Sequence, residues 1–509
     1  MRLISLILYL SAALISAQNA CAHTTTFKQN DKYTKTQGNI DCSFKGLREV
    51  LRTQHDVDTF SQRYKGCGSI VGQLFIIGSG NNFTTAQDNT DQITNLNGLA
   101  QIHELPAYTY IYNTALTSLK GLENLTATGW LEIHDNPKLT SLAGLENMNS
   151  NAVFHLYSNP NLVNLDGLNK LKSINYFYIN NNSKLQSMKG LDALTSINNK
   201  LDVESNPALI NFEGLEKLSN LNELIVKNNT NFINFKGDKS IGRLSSLTLS
   251  GSPKFEGFTG LNNVVYLGAL TVNNAGWTNF DGFDNLKYIQ KLSLDNNPQL
   301  QDFSGLENNY SIHEIELTNN PKFASFIGLA NFKNFQSLKL INNPSLKNLD
   351  EFSQVIGNIN NLDIESNQNL SSITGLNRIL SIQSGNGYGG NLTIKDSPSL
   401  TSLSGLDNVL KVDGTIIIQN NDNLDSVKNL SHLLQIQNNV QIIKNTALTT
   451  LSGLENITLP PDPTNTHFTL QDNNNLSDCS AICDISKQQG YVQLQGNNSG
   501  CEDSLSSCK

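Results

Sequence analysis

Positive charge is scarce in this sequence. Lysine and arginine account for 35 of the 509 residues and never form a run, and the formal net charge is −9. A protein that binds a phosphate backbone or an anionic bilayer needs a basic patch. The composition therefore argues against nucleic acid as a partner. Charged residues make up only 16 % of the chain, whereas Asn, Ser and Thr are abundant, which is typical of an extracellular surface.

Recognisable catalytic motifs are also missing. The eight histidines are scattered, and no serine, cysteine or carboxylate recurs beside them at a spacing that assembles a nucleophile and its base. Neither a P-loop nor a G-x-G-x-x-G turn is present. Acidic pairs such as Glu314 with Glu316 alternate as outward-facing strand residues do, which favours a solvated column over catalytic carboxylates. We expect no enzymatic activity and no cofactor, with a polysaccharide-active β-solenoid enzyme as a less favoured alternative.

Long apolar runs are absent except at the start of the chain. Residues 3–15 are almost entirely apolar, follow Met1 and Arg2, and precede small residues up to Ala22. This pattern predicts a signal peptide over residues 1–22, and the run is too short to span a bilayer. Lipid modification of Cys21 stays open. No later segment is apolar enough for a transmembrane helix, so we expect a secreted or cell-surface protein.

Cysteine is confined to the two ends of the mature chain. Apart from Cys21, the cysteines are Cys42, Cys67, Cys479, Cys483, Cys501 and Cys508. An even number in an exported chain predicts disulfides. The spacing of Cys479 and Cys483 also resembles half of a zinc site, but no second pair or histidine lies at a matching distance. We therefore expect disulfides and no metal, with the pairing at the C-terminal end undetermined.

A repeated phrase fills most of the chain. In one copy it runs Leu116-Thr-Ser-Leu119-Lys-Gly121-Leu122, and the next copy begins at Leu139, a step of 22 to 24 residues. Sixteen copies lie between residues 93 and 475. The first apolar position is filled by Ile93, Leu116, Leu139, Leu162, Leu185, Leu209, Phe232, Phe255, Trp277, Leu300, Phe323, Leu346, Leu370, Leu400, Leu424 and Leu448.

The repeat is too short for two helices, and its apolar residues alternate with period two. We expect Leu131 and Ile133 to face inward and Trp130, Glu132 and His134 to face outward. The predicted fold is mainly β, a right-handed parallel β-solenoid of about sixteen coils of 22–24 residues, with disulfide-capped ends. The predicted division is a signal peptide at 1–22, an N-terminal cap with a helix and a first strand at 23–92, the repeat solenoid at 93–475, and a cysteine-containing C-terminal cap at 476–509.

Two polar columns and the ends add detail to this prediction. In fourteen copies a glycine lies five residues after the first apolar position, and in the other two copies this position is Glu351 or Asn429. The glycine predicts a tight turn. An asparagine near the end of the second strand predicts a hydrogen-bonded amide ladder, which is structural. Residues 44–64 predict a helix that caps the N-terminal end. The ladder is predicted from Asn113, Asn136, Asn159, Asn182, Asn206, Asn229, Asn297, Asn320, Asn343, Asn367, Asn421, Asn445 and Asn473, with Ser252 and Ser397 as substitutes.

The N-terminal cap and the repeat phrase resemble a known family. Cys67-Gly-Ser-Ile70-Val-Gly72-Gln-Leu74-Phe-Ile76 resembles the opening of receptor L domains, and L-x-I-x-x-N-P-x-L-x-x-L-x-G-L is similar to those domains and to leucine-rich-repeat proteins exported by bacteria. The cysteine-containing end, from Cys479 to Cys508, resembles the cap of the same secreted group. The resemblance covers nearly the whole mature chain and implies a solenoid that binds ligands outside the cell.

One outward surface is the candidate binding site. Aligning the second to fourth copies places aromatic and histidine residues on one exposed sheet face, where they are suited to stack on a sugar or to receive a protein. Cross-strand stacking that only stabilises the sheet is the alternative. Threonine, serine, lysine and aspartate occupy the corresponding positions of later copies. The candidate residues are Trp130, Glu132, His134, His155, Tyr157, Tyr176 and Tyr178.

The sequence therefore predicts a secreted or cell-surface binding or adhesion protein with an extracellular protein or glycan as its partner. A structural spacer of the envelope or matrix is the main alternative. The two loops that lengthen the repeats, at residues 384–390 and 460–467, are further places where binding residues are expected.

Overall fold

The computed structural model describes residues 42–78, 92–237, 240–383, 390–460, 466–488, 491–506 and 508. The chain falls into two compact units, Met1–Ser43 and Phe44–Lys509, of which the second carries the repeats. The predicted signal peptide lies outside the described residues, as do most residues of the two predicted loops. Within the described ranges, no helix combines the length and hydrophobicity that crossing a membrane requires.

One large sheet dominates the described part of the chain, and a small sheet of four short strands accompanies it. The nineteen strands of the large sheet are β1 (Ser43–Leu51), β2 (Val71–Ile77), β3 (Glu104–Tyr112), β4 (Ala127–His134), β5 (Ser150–Tyr157), β6 (Ser173–Asn180), β7 (Ser196–Glu204), β8 (Asn220–Lys227), β9 (Arg243–Ser252), β10 (Tyr266–Ala275), β11 (Tyr288–Asp295), β12 (Ser311–Thr318), β13 (Ser337–Ile341), β15 (Asn361–Glu365), β17 (Leu392–Lys395), β19 (Ile416–Gln419), β21 (Val440–Ile443), β22 (His467–Gln471) and β23 (Tyr491–Gln495). The small sheet contains β14 (Gly357–Ile359), β16 (Ile379–Ile382), β18 (Lys411–Val412) and β20 (Gln435–Ile436).

From β2 onward, successive strands of the large sheet pair in parallel, each with the strand of the next coil. The inward residues of neighbouring strands lie in register, as Leu131 does with Phe154 and Phe154 with Phe177. All sixteen residues of the first apolar position are at most 1 % exposed. No coil closes a core alone, so burial depends on the stacking of neighbours. The predicted parallel β-solenoid is confirmed.

Each of the sixteen predicted repeats contributes one strand to the large sheet. β2 and β23 of the two caps pair in parallel with the first and last of these strands and add one turn each. The solenoid therefore has about eighteen turns. Both ends have lost the repeat phrase while keeping alternating apolar residues, such as Leu74 and Ile76 of β2, which are fully buried.

The turns are built by the two predicted polar columns. Gly144 has φ +115°, and a Cβ at this position would lie 2.0 Å from the carbonyl oxygen of Leu119. A side chain is excluded there by both backbone conformation and space. The ladder asparagines are fully buried, and each accepts a hydrogen bond from the preceding coil. Asn159 N donates to Asn182 Oδ1 at 3.1 Å, and Asn182 Nδ2 donates to the carbonyl oxygen of Leu156 at 2.9 Å.

The prediction that Asn113 is the first residue of the amide ladder is wrong. Asn113 has φ +58°, the left-handed conformation of the residue that precedes each ladder asparagine, as Asp135 precedes Asn136. The rung itself is Thr114, whose backbone N and Oγ1 donate to Asn136 Oδ1 at 3.0 and 2.7 Å. The turn after Thr114 is one residue shorter than usual, since Leu116 follows Thr114 by two residues whereas Leu139 follows Asn136 by three. Counting back three residues from Leu116 therefore led to Asn113.

The prediction of a helix over residues 44–64 is wrong for its first half. That segment forms β1, in which Gly46 and Leu47 have left-handed φ of +64° and +59°, and Leu47 is 61 % exposed rather than on an apolar helix face. Helical structure begins only at α1 (Gln54–Asp58), where Thr53 and Asp56 form a capping box, and continues in α2 (Phe60–Arg63). The capping box fixes the helix start because it satisfies the first free N–H groups.

The cysteines near both ends form disulfides. Cys479 pairs with Cys501 and Cys483 with Cys508, and Cys42 and Cys67 are each disulfide-bonded. The zinc alternative at Cys479 and Cys483 is therefore wrong. The C-terminal cap contains α3 (Cys483–Lys487), β23 and α4 (Ser499–Ser506). One disulfide joins α4 to Cys479, and the other joins α3 to Cys508.

The coils change along the solenoid. From β3 to β12 the strands have eight to ten residues, whereas β13, β15, β17, β19, β21 and β22 have four or five. The long strands of the early coils each begin with a segment that is continuous with the rest of the strand. In the later coils the corresponding segment is a separate short strand of the small sheet. Glu351, where the glycine column fails, lies in a 3₁₀ turn, Asp350–Gln354.

Candidate ligand-binding surface

The parallel register arranges the outward side chains of β2–β7 in three columns. Each column takes one residue from each of β3–β7, and Phe75 of β2 extends the second column, so neighbouring members stand about 4.8 Å apart along the solenoid. The first column is Tyr108, Trp130, Val153, Tyr176 and Lys200. The second column is Phe75, Tyr110, Glu132, His155, Tyr178 and Asp202. The third column is Tyr112, His134, Tyr157, Asn180 and Glu204.

All seven residues of the sequence-derived candidate site lie in these columns. They belong to β4, β5 and β6, and the inward residues between them, such as Leu131 and Ile133, are fully buried. The geometry brings the seven together on one surface, but their binding role stays a prediction. We call the outward aromatic and histidine residues of β2–β6, together with Glu132, the aromatic surface.

The rings of the aromatic surface are in contact along and across the columns. In the third column, His134 stacks between Tyr112 and Tyr157 with ring centroids 4.7 and 4.4 Å away. In the other two columns, His155 lies 5.1 Å from Trp130 and 4.2 Å from Tyr178. The third-column rings are stacked nearly parallel, whereas the contacts of His155 with Trp130 and Tyr178 are tilted or edge-on, and both kinds of contact fix the positions of the rings.

Glu132 stands at the centre of the aromatic surface and binds three of its side chains. Its Oε2 accepts a hydrogen bond from Trp130 Nε1 at 3.3 Å, and its Oε1 accepts one from the Tyr157 hydroxyl at 3.0 Å. His134 Nε2 lies 3.8 Å from Oε1. One carboxylate in the second column therefore orients rings of the first and third columns. Its own exposure is low because the rings cover it.

Burial dominates the electrostatics of this surface. Burial and the nearby Glu132 carboxylate raise the pKa of Tyr110 to about 12 and also raise the pKa of Tyr157. Burial lowers the pKa of His155, so its imidazole is neutral at pH 7. Burial raises the pKa of Asp202. The phenols thus remain hydroxyl donors over the physiological range.

Several members of the aromatic surface were missed by sequence reasoning. Tyr108, Tyr110 and Tyr112 of β3 share the columns of the predicted residues, and Phe75 of β2 stacks on Tyr110 at 4.7 Å. The alternation in Tyr108-Thr-Tyr110-Ile-Tyr112 was a sufficient signal for β3, because it matches the first repeat copy in position. Phe75 lies in the cap, where no repeat phrase marks its register.

From β7 to β21 the same columns carry no ring, and two rings return to the first column only at the C-terminal end, where His467 on β22 and Tyr491 on β23 lie 5.2 Å apart. The second column continues with Ile225, Thr248, Thr271 and Ser293, and then with the charged residues Glu316, Lys339 and Asp363. No cluster of three or more His, Cys, Asp or Glu side chains suited to a metal occurs in the described part of the chain. The aromatic surface is therefore local to the N-terminal coils.

Comparisons with known proteins identify no family. No family model matches the chain, and no curated protein matches it. Solved structures with a similar fold include a leucine-rich repeat protein from Bacteroides eggerthii, 14 % identical, with a TM-score of 0.40 over 84 % of this chain and 75 % of that one. Another is TLR13 in a complex with ssRNA13, also 14 % identical, with a TM-score of 0.24 over 82 % of each chain. The resemblance to receptor L domains stays a prediction.

Proposed function

We propose that this protein is an extracellular binding protein that captures a protein or glycan ligand on its aromatic surface. The observation that carries the proposal is the set of contacting rings on β2–β6, at positions where the strands from β7 to β21 carry no ring. A solenoid needs inward apolar residues at every coil, but it places no such demand on outward positions. The rings are therefore a local addition to the fold.

The aromatic surface is suited to binding because its side chains are held before a ligand arrives. Glu132 fixes Trp130 and Tyr157 by hydrogen bonds, and stacking fixes His134. Side chains that are already ordered lose little conformational entropy on binding, so more of the contact energy appears as affinity. Tyr108 and Tyr176 are the most open rings, at 41 % and 37 % exposure.

An extracellular location is supported by the disulfides and by the N-terminal sequence. Disulfides persist in oxidising compartments and are rare in the cytosol. All six cysteines outside the predicted signal peptide are disulfide-bonded. Residues 1–22 have the order of charged, apolar and small residues that is typical of a signal peptide.

The test is the double substitution Trp130→Ala and Tyr178→Ala. We expect the variant to lose capture of any ligand that the wild type binds on a glycan array or on an array of extracellular proteins. The matched control is Tyr266→Ala with Tyr288→Ala, which removes a stacked ring pair on β10 and β11, 5.1 Å apart and outside the aromatic surface. Thermal unfolding followed by circular dichroism establishes that both variants fold.

Two outcomes contradict the proposal. Undiminished capture by the folded Trp130 and Tyr178 variant places the binding site elsewhere on the molecule. Failure of the wild type to capture anything on either array favours the alternative of a structural spacer.

A further inference from the structure

The first column of the aromatic surface contains a gap between two rings. Trp130 on β4 and Tyr176 on β6 are separated by Val153 on β5, the one residue of this column on β3–β6 that is not aromatic. Two strand steps separate the backbones that carry the rings by roughly 9.5 Å. Among the described residues no ring contact joins Trp130 to Tyr176, although each contacts other rings.

The gap is a notch with defined walls. Trp130 and Tyr176 flank it, and His155, which contacts both Trp130 and Tyr178, closes it on the side of the second column. Val153 forms the floor and is only partly buried. The residue before it, Ala152, is also small, so the notch is open toward the start of the strands. Two rings whose backbones are two strand steps apart leave room between them for one further ring at ordinary stacking distances.

We propose that this notch binds a single pyranose ring of a saccharide, an inference that rests on the proposed function and specifies its ligand. The apolar C–H faces of the sugar stack on Trp130 and Tyr176, and Val153 contacts its edge. The hydroxyl groups of the sugar meet a polar rim that includes the hydroxyl of Tyr176 and the amide of the adjacent Asn175.

The surroundings of the notch favour a saccharide over a protein partner. The buried core of a protein interface is depleted of charged residues, and a stable interface covers about 800 Å² on each partner. On β7 and β8 the first column continues with Lys200 and Glu223, which form an ion pair at 3.3 Å, and Asp202 lies in the column beside them. The apolar area therefore ends one strand beyond Tyr176. That area suits one or a few sugar rings better than the core of a protein interface.

The experiment fills the notch without removing any ring. Val153→Phe completes the column with a fourth ring between Trp130 and Tyr176, and Val153→Ala leaves the notch open. The matched control is Ala269→Phe, which adds the same ring to the same column on β10, far from the aromatic surface. The probes are soluble hexasaccharides of glucose, N-acetylglucosamine and mannose, titrated calorimetrically against each protein.

Tryptophan fluorescence supplies a second readout. The chain has two tryptophans, and Trp277 is fully buried, so quenching by iodide reports on Trp130. We expect at least one hexasaccharide to bind the wild type and Val153→Ala and to protect Trp130 from quenching. We expect Val153→Phe to weaken this binding at least about tenfold, and Ala269→Phe to leave it unchanged.

The possible failures are distinguishable. If Val153→Phe binds the hexasaccharide as the wild type does, while the Trp130 and Tyr178 double variant does not, the notch assignment is overturned and the proposed function stands. If no hexasaccharide binds the wild type, the saccharide assignment is overturned, and capture on the protein array then decides the proposed function separately. Equal loss in Val153→Phe and Ala269→Phe also overturns the notch, because the effect is then not local.

Discussion

The outward faces of the early and late coils occupy equivalent positions and use different chemistry. On β2–β6 these positions carry rings organised by one carboxylate, Glu132. On β11–β17 they form a charged surface with ion pairs of Lys291 with Glu314 and Glu316, each at 3.3 Å, and of Lys395 with Glu365 at 3.4 Å. The residues of this charged surface are Lys291, Glu314, Glu316, Lys339, Asp363, Glu365 and Lys395.

The difference shows which positions the fold constrains. Inward residues and ladder amides are the same kind of residue under both surfaces, while the outward columns vary freely. The charged surface demonstrates that a stable coil needs no outward ring. Sheet stabilisation alone therefore does not explain why ten rings gather on five successive strands. Three sets of substitutions test whether the interior is constrained in the same way in all coils while the aromatic surface and the charged surface are not.

The largest effect is expected in the amide ladder. Asn182→Ala removes the acceptor of Asn159 N and the donor to the Leu156 carbonyl oxygen, both fully buried within the coil turns. Each buried polar group left without a partner costs about 1–3 kcal/mol, so we expect a loss of about 2–4 kcal/mol in unfolding free energy. Ser397, at the same ladder position near the charged surface, donates only to the Lys395 carbonyl oxygen at 3.0 Å through its side chain.

Ser397→Ala is the matched variant for this comparison. We expect it to cost about 1 kcal/mol, since a single hydrogen bond is lost. Urea denaturation of both variants measures the difference. Equal losses at the two positions, or no loss at Asn182, contradict the view that the ladder amide satisfies the turn.

An intermediate effect is expected where Glu132 holds the aromatic surface. Tyr157→Phe keeps the ring stacked on His134 but removes the hydroxyl that donates to Glu132 Oε1 at 3.0 Å. We expect a loss of about 1–2 kcal/mol, because the hydrogen bond is charge-assisted and partly buried. Lys395→Met on the charged surface removes an exposed ion pair and is expected to cost about 0–1 kcal/mol. A larger loss in Lys395→Met than in Tyr157→Phe reverses the proposed ranking of the two surfaces.

The smallest effect is expected at Asp363 and depends on pH. Burial, and next the neighbouring Glu365 carboxylate, raises the pKa of Asp363 to about 6. The folded protein therefore holds this proton more tightly than the unfolded chain, whose aspartate titrates near 3.9. Stability falls as pH rises from about 4 to 6 and then stays at the lower level.

Asp363→Asn abolishes this titration while keeping the size of the side chain. We expect the variant to melt on the order of 1 °C above the wild type at pH 7.5, with the difference vanishing near pH 4. Differential scanning calorimetry at both pH values measures it. A wild-type advantage at pH 7.5 contradicts the assigned direction of the pKa shift.

The sequence was sufficient for the common interior because every coil repeats the same physical demand. Leucine or phenylalanine fills the first apolar position, and glycine stands where a Cβ meets backbone atoms, as at Gly144. The same alignment of repeat copies predicts that Trp130, His155 and Tyr178 lie on one surface. It failed where the repeat ends. β1 was assigned as helix because Leu47, Val50 and Leu51 fit a helical stripe, and the left-handed Gly46 and Leu47 were not recognised.

Contacts between coils were less predictable than positions within a coil. The phrase gave no sign that Glu132 binds both Trp130 and Tyr157, because one partner lies two residues away and the other lies on the next strand. The pairing of Cys479 with Cys501 and of Cys483 with Cys508 depended equally on the folded cap. The spacing of the repeat determines which face of the sheet a residue occupies, whereas the chemistry of a surface depends on contacts between side chains of neighbouring strands.

The amide ladder gives the solenoid a direction. The side chain of each ladder asparagine reaches back to complete the turn of the coil before it, as Asn182 does for Asn159, and Asn497 does the same for Asn473 at 3.1 Å in the C-terminal cap. During synthesis, the turn of each new coil therefore becomes fully hydrogen-bonded only after the next coil has been made. A chain that is cut short exposes one incomplete turn at its growing end, and the cap that contains Asn497 is the part that finishes the series.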